Sequence, residues 1–231
     1  MVSVRFIDLG VLTPEQSVLI DDVLLRMHSS ADDDVLLLYS RDRPCISVGR
    51  FQRTEHTINS EYVKKNDIAV VRRCSGGSNI YSDERQLTYS LIISKNRLPP
   101  DRSGSFAVIC NCVVQSLRIL GIDCSYKPVN DILVNGKKIS GGAQSRTSNA
   151  ILQHGSLILD VDNDVVAASL IDRKERSYDG LTSMKECLGH IPSRNDIADA
   201  LISGFSKAFG PVTKGELNEK EIKQVSSCSY R

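Results

Sequence analysis

Neither sign of charge prevails in this chain. Lysine and arginine together number 29 against 28 aspartate and glutamate residues, a net charge of +1, so no global field draws it towards nucleic acid or an anionic membrane. Any basic site has to be local. Long apolar runs are also missing, and none approaches the roughly 18–20 residues that a membrane span requires. The segment Met1 to Gly10 lacks the charged-then-apolar order of a secretory signal. The expectation is a cytoplasmic protein with no nucleic-acid and no membrane partner. The seven cysteines, at 45, 74, 110, 112, 124, 187 and 228, show no CxxC spacing. That excludes a disulfide framework or zinc site as the default and leaves small apolar thiols. Repeats and low-complexity tracts are absent too.

What is present suits one globular domain over residues 1–231, with 41% hydrophobic and 25% charged residues. Thr13-Pro14-Glu15-Gln16 has the form of a capping box with proline at the first helical position. Val18, Leu19, Val23, Leu24 and Met27 follow at helical spacing. Val35 to Tyr39 and Cys45 to Gly49 flank a charged turn (Arg41-Asp42-Arg43-Pro44) and read as paired strands. Asn59 to Asn66 reads as a short helix before a strand at Ile68 to Val71. Leu87 to Ile93 is a further strand, and Ser105 to Leu120 is a long helix closed by Gly121. Asn135-Gly136 between Ile132-Leu133-Val134 and Lys137-Lys138-Ile139 is the clearest hairpin signal. Ala150 to Asp160 reads as a strand and Ser193 to Phe209 as a helix closed by Gly210. This mixture predicts an α+β fold with a mostly antiparallel sheet.

Three segments suit chemistry better than packing. Arg72-Arg73-Cys74-Ser75-Gly76-Gly77-Ser78-Asn79-Ile80-Tyr81-Ser82-Asp83 delivers two arginines into a small-residue loop. Such a backbone lets a ligand approach closely and offers successive N–H groups to an anion. Alone, Gly-Gly is equally the mark of a tight turn. Asn130-Asp131 precedes the hairpin, and Lys138-Ile139-Ser140-Gly141 follows its turn; a lysine there can reach a pocket as a point charge, although most lysines point to solvent. His154 interrupts an apolar strand, where a histidine is more often a satisfied core residue than a catalyst.

In order and spacing, Arg73-x-Ser75-Gly76-Gly77, Asn130-Asp131, Gly136-Lys137-Lys138-Ile139-Ser140-Gly141 and His154-Gly155 resemble the biotin/lipoate protein ligase family. The likeness is to the catalytic domain of lipoate-protein ligases and to their octanoyltransferase relatives, and Pro44 to Gln52 is similar to the family's early strand. It spans roughly residues 35 to 210. It implies a mixed, largely antiparallel sheet flanked by helices, as in class II aminoacyl-tRNA synthetases and biotin ligases.

The resemblance further implies that Arg73 contacts phosphate. Ser75, Gly76, Gly77, Ser78, Asn79, Ile80 and Tyr81, with Asp83 beyond them, would wrap a nucleotide and an acyl group. Asn130 and Asp131 would hold an adenylate or its metal, with Asp131 the metal ligand. Ser140, Gly141 and His154 would complete the binding site, and Lys138 would be catalytic, bridging an acyl carboxylate and an α-phosphate. Two positions depart from the pattern: Ser78 stands where the family usually has a third glycine, and Ser82 where it usually has histidine.

The activity so implied is ATP-dependent lipoate ligation. Lipoate would be converted with ATP and Mg²⁺ to lipoyl-AMP and passed to a lysine of a lipoyl-carrier domain or H-type carrier protein. The Asn130-Asp131 pair favours it. The chain ends at Arg231, close to where a catalytic domain would end, so the small C-terminal accessory domain of many lipoate ligases is expected to be absent or supplied by a separate polypeptide. The alternative is an octanoyl or lipoyl transferase that takes its acyl group from a carrier thioester without ATP, with Cys124 as candidate nucleophile. The runs Gly142 to Arg146 and Leu152 to Ser156 resemble that cysteine-dependent branch. Biotinylation on the same fold fits less well, because the glycine loop lacks an arginine-rich form. A pocket that has lost its chemistry fits less well, because Lys138 is kept.

Overall fold

A computed structural model of the chain describes residues 3–29, 31–171 and 180–230. The elements run β1 (Val4–Leu12), α1 (Pro14–Met27), β2 (Asp34–Arg41), β3 (Cys45–Val48), α2 (Ser60–Lys65), β4 (Ala69–Arg72), β5 (Ile80–Ser82) and β6 (Gln86–Ser94). They continue with α3 (Arg102–Ile119), β7 (Ser125–Lys127), β8 (Asp131–Val134), β9 (Lys137–Arg146), β10 (Ala150–Ile158) and α4 (Asn163–Ser169). The last are α5 (Met184–Leu188), α6 (Arg194–Phe209), β11 (Val212–Lys214) and α7 (Glu219–Ser227). No helix among the described residues is long and apolar enough to cross a membrane.

Eight strands form one sheet in the order β11-β1-β2-β6-β10-β9-β8-β7, and β4-β3-β5 form a second, smaller sheet. In the large sheet only β11-β1 and β1-β2 pair in parallel, so the α+β, largely antiparallel expectation holds. The pairing of β2 with β3 does not. β2 is buried along its whole length between β1 and β6, while β3 belongs to the small sheet. A strand covered on both faces reads as one apolar run, which fixes its burial but not its neighbours.

Side-chain alternation sorts two cores. On one face Leu36 and Leu38 of β2 join Leu87, Tyr89, Leu91 and Ile93 of β6 beneath α3 and α6. On the other, Val35, Leu37 and Tyr39 of β2, Ile92 of β6 and Leu152 of β10 pack with Ile20, Leu24 and Leu25 of α1. Helix α1 starts where its sequence says: Thr13 accepts from Gln16 N–H and Gln16 closes the capping box. It also touches β4, so it bridges the two sheets. A third cluster, with Ile46, Val48, Ile58 and Val63, lies between the small sheet, α2 and α4.

Candidate functional site

Along β10 the residues that share the α1 face change character stepwise. Leu152 is core, His154 lies at the junction of the sheets, and Ser156 and Ile158 line a cavity of about 420 Å³. The cavity lies between the ends of β8, β9 and β10, the glycine loop entering β5, and α4. Its apolar lining is built by Ile80, Ile158, Val161, Val166, Leu170 and Leu181. Its polar lining contains Asn130, Asp131, Lys138, Gly141 and Gly142.

The β8–β9 hairpin sets that polar lining. Asn135 and Gly136 turn it with φ of 48° and 81°, the positive values of a type I′ turn. Asp131 and Gly141 are register partners, and Lys138 Nζ lies 2.7 Å from Asp131 Oδ1. The lysine side chain crosses Gly141 so closely that a Cβ there would fall 2.3 Å from its Cε and 2.4 Å from its Nζ. Asn130 clamps the next residue in both directions, accepting from Gly142 N–H at 3.0 Å and donating its side-chain amide to Gly142 O. Lys138 is itself held by the following segment: its N–H donates to Gly180 O at 2.9 Å, and Thr182 N–H donates to its carbonyl at 3.0 Å. The lysine is therefore held at its backbone by this segment and at its ammonium by Asp131, in a cavity that also carries the apolar residues.

The glycine loop is built differently. Gly49 admits it, since a Cβ at that position would stand 2.1 Å from Gly77 O, and Gly77 takes φ +91°. Arg73 is only 3% exposed. It donates from Nε to Ser75 Oγ (3.0 Å), from Nη1 to Ser47 O (2.6 Å), and from Nη2 to Gly76 O and Ser78 O (both 2.7 Å). Burial lowers its pKa to about 10. Below the loop, Ser75 Oγ lies 2.7 Å from His154 Nε2, and His154 Nδ1 lies 2.7 Å from Asp21 Oδ2 on α1. Asn79 donates to Thr57 Oγ1 at 2.7 Å.

Of the residues singled out in the sequence, Arg73, Gly77, Ser78, Asn79, Ile80, Tyr81, Asn130, Asp131, Lys138 and Gly141 line the cavity. Ser75, Gly76, Ser140 and His154 are not among its lining residues, and Asp83 is turned to the Arg85 guanidinium. Sequence reasoning missed the apolar wall and Asp21. Signals existed for both: Val165-Val166-Ala167-Ala168 behind the cap Asp162, and a carboxylate on the buried stripe of α1.

Three implied roles need correction. Arg73 has three N–H groups committed to its own loop and a fourth to Ser47 of β3, so it braces backbone where a phosphate contact was expected. Asp131 is paired with Lys138 and, among the described residues, is the only carboxylate in the cavity wall. No cluster of three His, Cys, Asp or Glu side chains occurs among the described residues. Divalent cations of the Mg²⁺ type are held through carboxylates, and the single lysine-paired carboxylate that the described residues offer is a poor set for an ion resident without a phosphate ligand. Cys124, the candidate nucleophile, is 3% exposed in the core beneath α3, with Sγ 3.9 Å from Val114 O. Burial raises its thiol to about 11, and among the described residues no cysteine lines the cavity.

Comparison with known proteins separates the remaining readings. The Lipoyl protein ligase A/B catalytic domain matches residues 13–206. An octanoyltransferase LipM of Halalkalibacterium halodurans is 27% identical over 98% of this chain and 95% of its own length. The lipoate-protein ligase LplJ of Bacillus subtilis is 35% identical, over 71% of this chain and 49% of its own length. Among solved structures, one from Thermoplasma acidophilum, described as part of a bi-partite lipoate protein ligase and its E2 lipoyl domain, superimposes with a TM-score of 0.85. It is 27% identical, covering 98% of this chain and 92% of that one. A biotin protein ligase of Aquifex aeolicus, 13% identical with a TM-score of 0.54 and covering 90% of this chain and 71% of that one, shows the shared fold alone.

These findings overturn the expected ATP-dependent lipoate-protein ligase. Curated relatives matched along nearly their whole length are octanoyltransferases, and a fold common to ligases and transferases does not weigh against them. The chain belongs to the lipoyl protein ligase A/B catalytic-domain family.

Proposed function

We propose that this protein transfers an octanoyl-type acyl group from a carrier thioester to a lysine of a lipoyl-type carrier domain, without nucleotide. The observation that carries the reading is the cavity itself: an apolar wall sized for a medium chain, ending at one fixed ammonium, Lys138, beside Asp131. Relatives named octanoyltransferase supply the acyl class. The lipoylation-system neighbour, described with its E2 lipoyl domain, suggests the acceptor.

In this scheme the chain lies along Ile80, Ile158 and Val166 with its carbonyl at Lys138. The deprotonated acceptor amine attacks the thioester carbonyl carbon. A C–N bond forms, the C–S bond breaks, and the departing thiolate takes the proton that the amine gives up. Negative charge collects on the carbonyl oxygen in the transition state, where a positioned ammonium stabilises it more than in the ground state. Asp131 holds the Lys138 ammonium in place. In this scheme the amine attacks the donor directly, since Cys124 lies in the core beneath α3 and is not among the residues lining the cavity.

The test combines purified chain, an octanoyl-pantetheine or octanoyl-carrier thioester and a lipoyl domain, with intact-mass detection of acylated lysine. Transfer without ATP is expected. Acylation that appears only with free acid, ATP and Mg²⁺ contradicts the reading.

A further inference from the structure

The Asp21–His154–Ser75 chain lies outside the cavity wall, joins α1, β10 and the glycine loop, and has no part in the steps above. Its donors and acceptors accommodate the following assignment. Arg73 Nε donates to Ser75 Oγ, which leaves the Ser75 hydroxyl proton available to its other partner, His154 Nε2. That nitrogen is then the acceptor, which leaves the ring proton on Nδ1, donated to Asp21 Oδ2. Tyr39 donates its hydroxyl to the same carboxylate oxygen at 3.1 Å.

The far end of the chain is what matters for the reaction. Arg73 draws the carbonyls of Gly76 and Ser78 onto its Nη2. In a trans peptide the N–H points opposite to its C=O, so the N–H groups of Gly77 and Asn79 are turned away from the guanidinium, in a stretch whose residues line the cavity. How well those amides meet a ligand depends on the rotation of Arg73, which Ser75 fixes at Nε.

We infer that Asp21 and His154 are positioning residues for acyl transfer: they fix the Ser75 hydroxyl, and through Arg73 they set the peptide orientation of the glycine loop at the cavity. The inference rests on the transferase reading for its kinetic readout but not for its structural one. Ser75 itself is fully buried and accepts from Arg73, so the arrangement serves geometry; the hydroxyl does not reach the cavity as a nucleophile.

The experiment is Asp21→Asn, an isosteric change that removes the charge favouring the Nδ1–H form and disturbs the tautomer without opening a cavity. Three quantities are read: His154 ring ¹⁵N shifts, the amide resonances of Gly76 to Asn79, and transfer kinetics. The wild type should show a protonated Nδ1 and a bare Nε2. In the variant the ring signals and the loop amides should both move, with turnover falling by roughly tenfold or more at near-normal melting temperature, as small misplacements in a site do. His154→Ala should reproduce the loop shifts. Unmoved loop amides, or a folded variant with wild-type turnover, would overturn the inference. If the wild type transfers nothing from the thioester, the transferase reading fails, and the loop resonances still decide this one.

Discussion

Among the described residues Arg73 and Lys138 are the two cations in the cavity wall, and they are held in opposite ways. Arg73 is folded into its own loop, with three backbone carbonyls and a serine hydroxyl around it. Lys138 lies across the bare backbone of Gly141, its Nζ paired with Asp131 and its side chain 19% exposed. A planar fork with five fixed donors suits carbonyls at several angles, whereas an ammonium on a flexible stem suits a single developing charge. An arginine entering a glycine-rich loop is thus scaffold here, and the lysine is the group left for chemistry.

The contrast is broken most directly at the lysine. Lys138→Ala should slow acyl transfer by about 10²–10³, the usual consequence of losing one preorganised stabiliser, with a melting temperature close to wild type. Parallel losses of stability and activity would make Lys138 another brace. At Arg73 the balance should invert. Arg73→Lys cannot reach four acceptors and leaves buried carbonyls unpaired, a cost of about 1–3 kcal/mol for each group stranded. Denaturant melts should show the drop, and an unchanged midpoint would refute the bracing role.

Smaller effects sharpen the picture. Gly49→Ala places a methyl against Gly77 O, a backbone contact that has to shift, and should destabilise by about 1–3 kcal/mol while raising the acyl-donor KM. In Gly141→Ala the atoms displaced are the flexible end of Lys138, so turnover should fall with little change in melting. Lys137→Ala removes only an exposed pair with Glu186, and its rate should stay within about twofold of wild type.

Much of the local architecture was legible because it is locally encoded. The Thr13 capping box, the Asn135-Gly136 turn and the Asn59 cap each specify an element within four residues. What escaped is long-range. β2 and β3 are adjacent in sequence but belong to different sheets, because β2 is covered on both faces and its pattern names no neighbour. His154 finds Asp21 across 133 positions, a distance over which no spacing rule operates. The motif around Arg73 pointed to the right loop and the wrong role, since composition shows that a guanidinium is present without showing where its donors go.

The most direct test sets Cys124→Ser beside Lys138→Ala in nucleotide-free transfer from an octanoyl thioester to a lipoyl domain, with both enzyme and acceptor weighed intact. The account predicts that Cys124→Ser acylates the acceptor at close to the wild-type rate, that no acyl adduct accumulates on the enzyme, and that Lys138→Ala is nearly inactive. A hydroxylamine-sensitive octanoyl adduct on Cys124 of the wild type, with transfer abolished in Cys124→Ser, would contradict it.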